Sequence, residues 1–157
     1  MNEDVRIRPP AQYESLITTL VEEVGFETKH SVLTFAAALG WFIHRREELG
    51  KAGEGIRWQI FEKNEDAAFV NALALAEDKS LHVLGREKGD QENVVEIFEE
   101  YATSGLHHIQ EQCVNKPGDL LNNLLSLVSE ARLTDSEPPS GLEGFTVADL
   151  KFLGGES

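Results

Sequence analysis

One cysteine, Cys113, stands in 157 residues, so no internal disulfide framework exists and the chain fits a reducing, cytoplasmic setting. No apolar run approaches the ~20 residues that cross a bilayer, and no charged-then-apolar leader opens the chain, so neither membrane nor export is expected. Basic residues are scarce: 14 Lys and Arg stand against 28 Asp and Glu, a formal charge of −14. That balance argues against autonomous, high-affinity binding to duplex DNA. No internal repeat occurs at periods of 20 to 50 residues. What is present is enough apolar material, 41% of residues, for one sizeable core.

The scarce positive charge is concentrated at the front. Residues 1–63 carry 8 basic and 10 acidic side chains, whereas residues 64–157 carry 6 and 18. Two surfaces of different electrostatic character follow. The first tolerates a polyanion, and the second suits solvent or a basic partner.

Periodicity predicts a mainly helical single domain of about five helices behind a short N-terminal strand or extended segment. Val5-Arg6-Ile7-Arg8 alternates apolar and basic residues, and Pro9-Pro10 ends the run. Tyr13, Leu16, Ile17, Leu20, Val21 and Val24 recur at helical spacing up to a stop at Gly25. A second helix, capped by Thr28 or Ser31, is apolar almost all round through Val32, Leu33, Phe35, Ala36, Leu39, Phe42 and Ile43, which predicts a central, buried helix. Its Ala36-Ala37-Ala38 and Gly40 permit close approach of another backbone. Ile56 to Phe61 reads as a short strand or ordered connector after the Gly50–Gly55 loop. Asp66 is placed to cap a third helix, and a fourth runs through Val94 to Ala102, broken near Gly105 before Leu106, Ile109 and Cys113. Pro117-Gly118-Asp119 announces a fifth, carrying Leu120, Leu121, Leu124, Leu125 and Val128. The helical domain spans 1–133. Residues 134–157 form a linker, Asp135 to Gly141, and a tail with a short apolar docking segment bearing Phe145, Leu150 and Phe152.

No catalytic motif emerges, so no enzyme, cofactor or metal is expected. Adjacent His107 and His108 point about 100° apart on a helix and cannot chelate one ion together. Cys113 lies on an apolar helical face and reads as a small buried hydrophobe. The Gly50–Gly55 loop lacks the Gly-Lys-Ser/Thr ending of a phosphate loop.

Two charged constellations remain as candidate sites. Arg6, Arg8, Arg45, Arg46, Lys51 and Arg57 form a basic set able to meet several phosphates; its bland alternative is pairing with Glu47, Glu48 and Glu54. Glu96, Glu99 and Glu100 form an acidic helix face, read first as solvated surface and second as a dock for a basic partner. A third reading makes those carboxylates the ligands of a divalent metal in a nuclease.

Longer stretches point to a family. Arg6-Ile7-Arg8-Pro9-Pro10, Val32-Leu33-Thr34-Phe35-Ala36-Ala37-Ala38-Leu39-Gly40, Gly53-Glu54-Gly55-Ile56-Arg57-Trp58-Gln59-Ile60-Phe61, Ile97-Phe98-Glu99-Glu100-Tyr101-Ala102 and Pro117-Gly118-Asp119-Leu120-Leu121-Asn122-Asn123-Leu124-Leu125 resemble the Dnd system-associated proteins. These are encoded beside the DNA phosphorothioation genes of bacteria and archaea. The resemblance covers about residues 5 to 130 and implies an accessory or adaptor role in a modification–restriction, anti-phage system. Its partners would be other proteins of a phosphorothioation modification or restriction complex, with DNA as a further one and no membrane. The first 48 residues are also similar to a ribbon-helix-helix module of the DndE type. That likeness implies a homodimer in which Arg6 and Arg8 lie on a strand facing DNA.

Overall fold

The computed structural model describes residues 1–2 and 4–134 and holds, among them, six α-helices and one two-stranded ribbon. Strand β1 (Arg6–Ile7) pairs antiparallel with β2 (Ile56–Arg57), aligning Arg6 with Arg57 and Ile7 with Ile56. A ribbon-helix-helix module would reserve β1 for a second copy. Here β2 of the same chain takes that place, and Ile7 enters the core, fully buried.

Helix α1 (Glu14–Thr19) continues as a π-helical turn, Leu20–Val24, and stops where Gly25 adopts φ 106°, a left-handed conformation that glycine adopts without steric cost. Helix α2 (Lys29–Phe42) starts with a reciprocal cap. Thr28 Oγ1 accepts from the Ser31 N–H at 3.2 Å and Ser31 Oγ accepts from the Thr28 N–H at 3.2 Å, so both candidate caps act together. The second helix is indeed central. It lies lengthwise on α5 (Lys88–Ile109), the longest helix, which a π-helical turn, Gln110–Val114, extends.

The two helices meet backbone to backbone. A Cβ on Gly105 would strike the carbonyl oxygen of Ala36, and one on Gly40 would strike that of Tyr101. Gly105 therefore does not break the helix, contrary to the break expected near it; α5 passes through it without interruption, and the missing side chain serves contact with α2.

Two further elements differ from expectation. Only Ile56–Arg57 is strand; Trp58–Lys63 forms helix α3, because Trp58 and Phe61, three apart, are both buried while Ile60 faces solvent. A six-residue stretch with four apolar residues, Ile56, Trp58, Ile60 and Phe61, is too short for period 2 and period 3.6 to be separated. Helix α4 (Asp66–Asp78) begins at Asp66, but its N-cap is Glu65 in the left-handed region; the Asp66 carboxylate reaches instead to His30 Nδ1 at 2.7 Å. Helix α6 (Leu120–Thr134) follows the turn at Gly118, with Asp119 Oδ2 accepting from the Asn122 N–H at 3.2 Å. Phe145, Leu150 and Phe152, together with the linker, lie outside the described residues.

One core joins these elements. Ile17 and Leu20, Val32 and Ala36, Phe61, Val70, and Phe98 and Leu106 are each no more than 1% exposed.

Candidate functional site

Glu96, Glu99 and Glu100 occur at i, i+3 and i+4, so α5 carries them along one side. That side faces β1. The Glu99 carboxylate takes three bonds from Arg8: the backbone N–H at 2.7 Å, Nε at 3.0 Å and an Nη at 2.8 Å. Its side chain is 2% exposed while that of Arg8 is 52% exposed, so the pair runs from core to surface. The bond to Glu99, and then the charge of Glu99, raise the Arg8 guanidinium above its ordinary value, against a smaller cost of burial. Glu99 is thus a buried anchor, contrary to the solvated face that the density of charge implied. Glu96 remains exposed and Glu100 is half-buried.

A second ion-pair network lies behind Glu100. Arg46 donates through Nε to Glu100 at 2.6 Å and through Nη1 to Glu77 at 2.9 Å, with its guanidinium 5.7 Å from the Tyr101 ring centre. Burial opposes the Arg46 charge, but the bonds to Glu77 and Glu100 outweigh it and raise the group. The Tyr101 hydroxyl donates to Glu77 at 2.6 Å; burial first and Glu77 second push that phenol up to about 12. The same bond, with Arg46 assisting against burial, lowers the Glu77 carboxyl.

Arg45 belongs to a third group. It meets Glu47 at 3.1 Å and Glu111 at 3.8 Å, and His107 lies between the two carboxylates, Nδ1 at 2.8 Å from Glu47 and Nε2 at 3.0 Å from Glu111. Tyr13 packs on the His107 ring, with burial as the chief cause that raises its phenol.

The basic set therefore divides in two. Arg8, Arg45 and Arg46 engage carboxylates of this chain. Arg6, Lys51 and Arg57 form no ion pair among the described residues. Arg6 Nη1 donates to the Gly55 carbonyl at 3.2 Å, and Arg6 and Arg57 sit directly opposite each other across the ribbon. Of the carboxylates expected to pair with the set, Glu47 does so, while Glu77, Glu99, Glu100 and Glu111 take the other places. No sequence signal finds the Arg8 to Glu99 contact, whose members are 91 residues apart.

The acidic set and two members of the basic set border one cleft of about 800 Å³ between the N-terminal segment and α5. Arg6 and Arg8 line it with Lys88; Asp4, Glu48, Glu92, Glu96, Glu99 and Glu100 line it too, so acids outnumber bases. Asp4, Glu48 and Glu96 form no ion pair among the described residues, although the charge of Glu96 acts on Arg8 from a distance. The described residues also hold no group of three His, Cys, Asp or Glu side chains arranged to bind a metal ion. Cys113 is buried, and that burial raises its thiol. No helix among them is long and apolar enough to cross a membrane.

A family model described as DNA sulphur modification system-associated protein 4 matches residues 6–144. The chain belongs to that family. The match takes in both strands, all six helices and the two cation sets, and it links the protein to DNA sulphur modification systems. No curated protein and no solved structure matches the chain.

Proposed function

We propose that this member of the family is a non-catalytic adaptor in the cytoplasm. It holds larger proteins of a DNA sulphur modification system together, in the service of restriction and defence against phage. The carrying observation is the cleft. Its most buried acid, Glu99, is already neutralised by Arg8, while the carboxylates of Asp4, Glu48 and Glu96 line it without forming an ion pair among the described residues. Such a surface attracts a basic segment of a protein and repels phosphate. Capture of the tagged protein from cells that carry the neighbouring modification genes tests this reading. Another protein of the modification or restriction assembly should be retained, and E96K with E48K should reduce its recovery. Recovery of no protein of the system would overturn the adaptor role.

A second reading is sequence-tolerant DNA binding, favoured by Arg6 and Arg57, which lie opposite each other and form no ion pair among the described residues. In that case affinity falls steeply with salt, and R57A flattens the slope by about one unit, whereas R46A leaves it unchanged. Absence of binding at low salt removes this alternative.

A further inference from the structure

An apolar groove of about 230 Å³, which shares no lining residue with the charged cleft, lies between α2 and α6. Phe35, Leu39 and Phe42 form one wall, and Leu127, Val128 and Ala131 the other. Phe42 is 42% exposed and Val128 36%, with no covering element among the described residues. Open apolar surface of this kind costs about 25 cal/mol for each Å² left in water, so an occupant is favoured. Arg132 stands at the rim as the one charged group.

We propose that the occupant is the chain's own segment Phe145–Leu153. The described chain ends at Thr134, two residues past Arg132, and so leaves at the edge of the groove. Residues 135–144 then span up to roughly 33 Å when extended, more than the roughly 22 Å length of α6, so the segment reaches any point along the groove. It concentrates Phe145, Val147, Leu150, Phe152 and Leu153 within nine residues, and Asp149 supplies a carboxylate for Arg132. A tether this short holds its end at an effective concentration on the order of millimolar, which favours it over an occupant from outside. None of these residues lines the charged cleft, so this contact is independent of the adaptor reading.

Hydrogen–deuterium exchange on the full chain tests the assignment. Amides of 145–153 should exchange roughly tenfold or more slower than in an unprotected peptide, equally at high and low protein concentration. F145D with F152D should abolish that protection and speed exchange over 124–132 by a similar factor, with unchanged far-UV circular dichroism. F42D should release 145–153 from the other side of the contact. Unprotected exchange of 145–153 in the unmodified chain overturns the proposal. So does protection that rises with concentration alongside a dimer in sedimentation, which would give the groove to a second copy. Protection over 124–132 that ignores F145D with F152D overturns it as well.

Discussion

Replacing Arg8 with alanine should destabilise this protein far more than its exposure implies. An arginine with half its side chain in water ordinarily contributes within about 0.5 kcal/mol. Here the partner decides the magnitude. Glu99 is 2% exposed, and R8A removes two of its three donors, leaving only the backbone N–H. Stranding a buried charge costs about 3–5 kcal/mol when no donor remains. The surviving N–H and the water that reaches the vacated position reduce this, so a loss of about 2–3 kcal/mol is expected, or roughly 5–10 °C in the melting midpoint. E99Q keeps an acceptor for Arg8 and should lose only about 1 kcal/mol. R8M combined with E99L, which removes both charges, should recover at least half of the R8A loss, roughly 1 kcal/mol or more. Urea unfolding followed by far-UV circular dichroism measures all four proteins. An R8A loss below about 0.5 kcal/mol would refute the reasoning, because Glu99 would then not depend on its arginine.

G105A should be destabilising although alanine is the better helix former by about 1 kcal/mol, since its methyl meets the Ala36 carbonyl; a net loss of about 1–3 kcal/mol is expected in the same urea assay. Tyr101 should ionise only near 12, read as tyrosinate absorbance in a spectrophotometric titration that Y101F removes. Because folding raises this phenol above its ordinary value of 10.0, its stabilising contribution is complete below pH 10 and disappears as pH climbs through about 12.

Helix positions were readable wherever the apolar period ran long. Val32 to Phe42 announced both α2 and its burial, and Pro117-Gly118-Asp119 announced the start of α6. The readings failed where local pattern and tertiary packing disagree. Gly105 resembles a helix break on propensity alone, yet its lack of a side chain answers to Ala36, 69 positions earlier in the chain. Trp58 and Phe61 resemble a strand until α4 and α5 supply a core for one helical face. Of the residues singled out in the sequence, Arg6, Arg8, Glu96, Glu99 and Glu100 border the cleft, whereas Arg45, Arg46, Lys51 and Arg57 do not. Who binds whom was not legible, because Coulomb attraction between exposed residues leaves no imprint on spacing. Glu47, Glu48 and Glu54 are nearest in sequence to the basic set, but burial selected Glu99 and Glu100 from the far helix.

The seam between α2 and α5 has a mechanical consequence. Where most helix pairs are separated by interdigitated side chains that can repack as the helices slide, here main chain rests on main chain at Gly40 and Gly105. No compliant layer remains to absorb a shift of one helix past the other. The pair acts as a stiff spar in which α5 lines the charged cleft and α2 lines the apolar groove. A displacement of α2 is therefore transmitted to α5 rather than taken up between them.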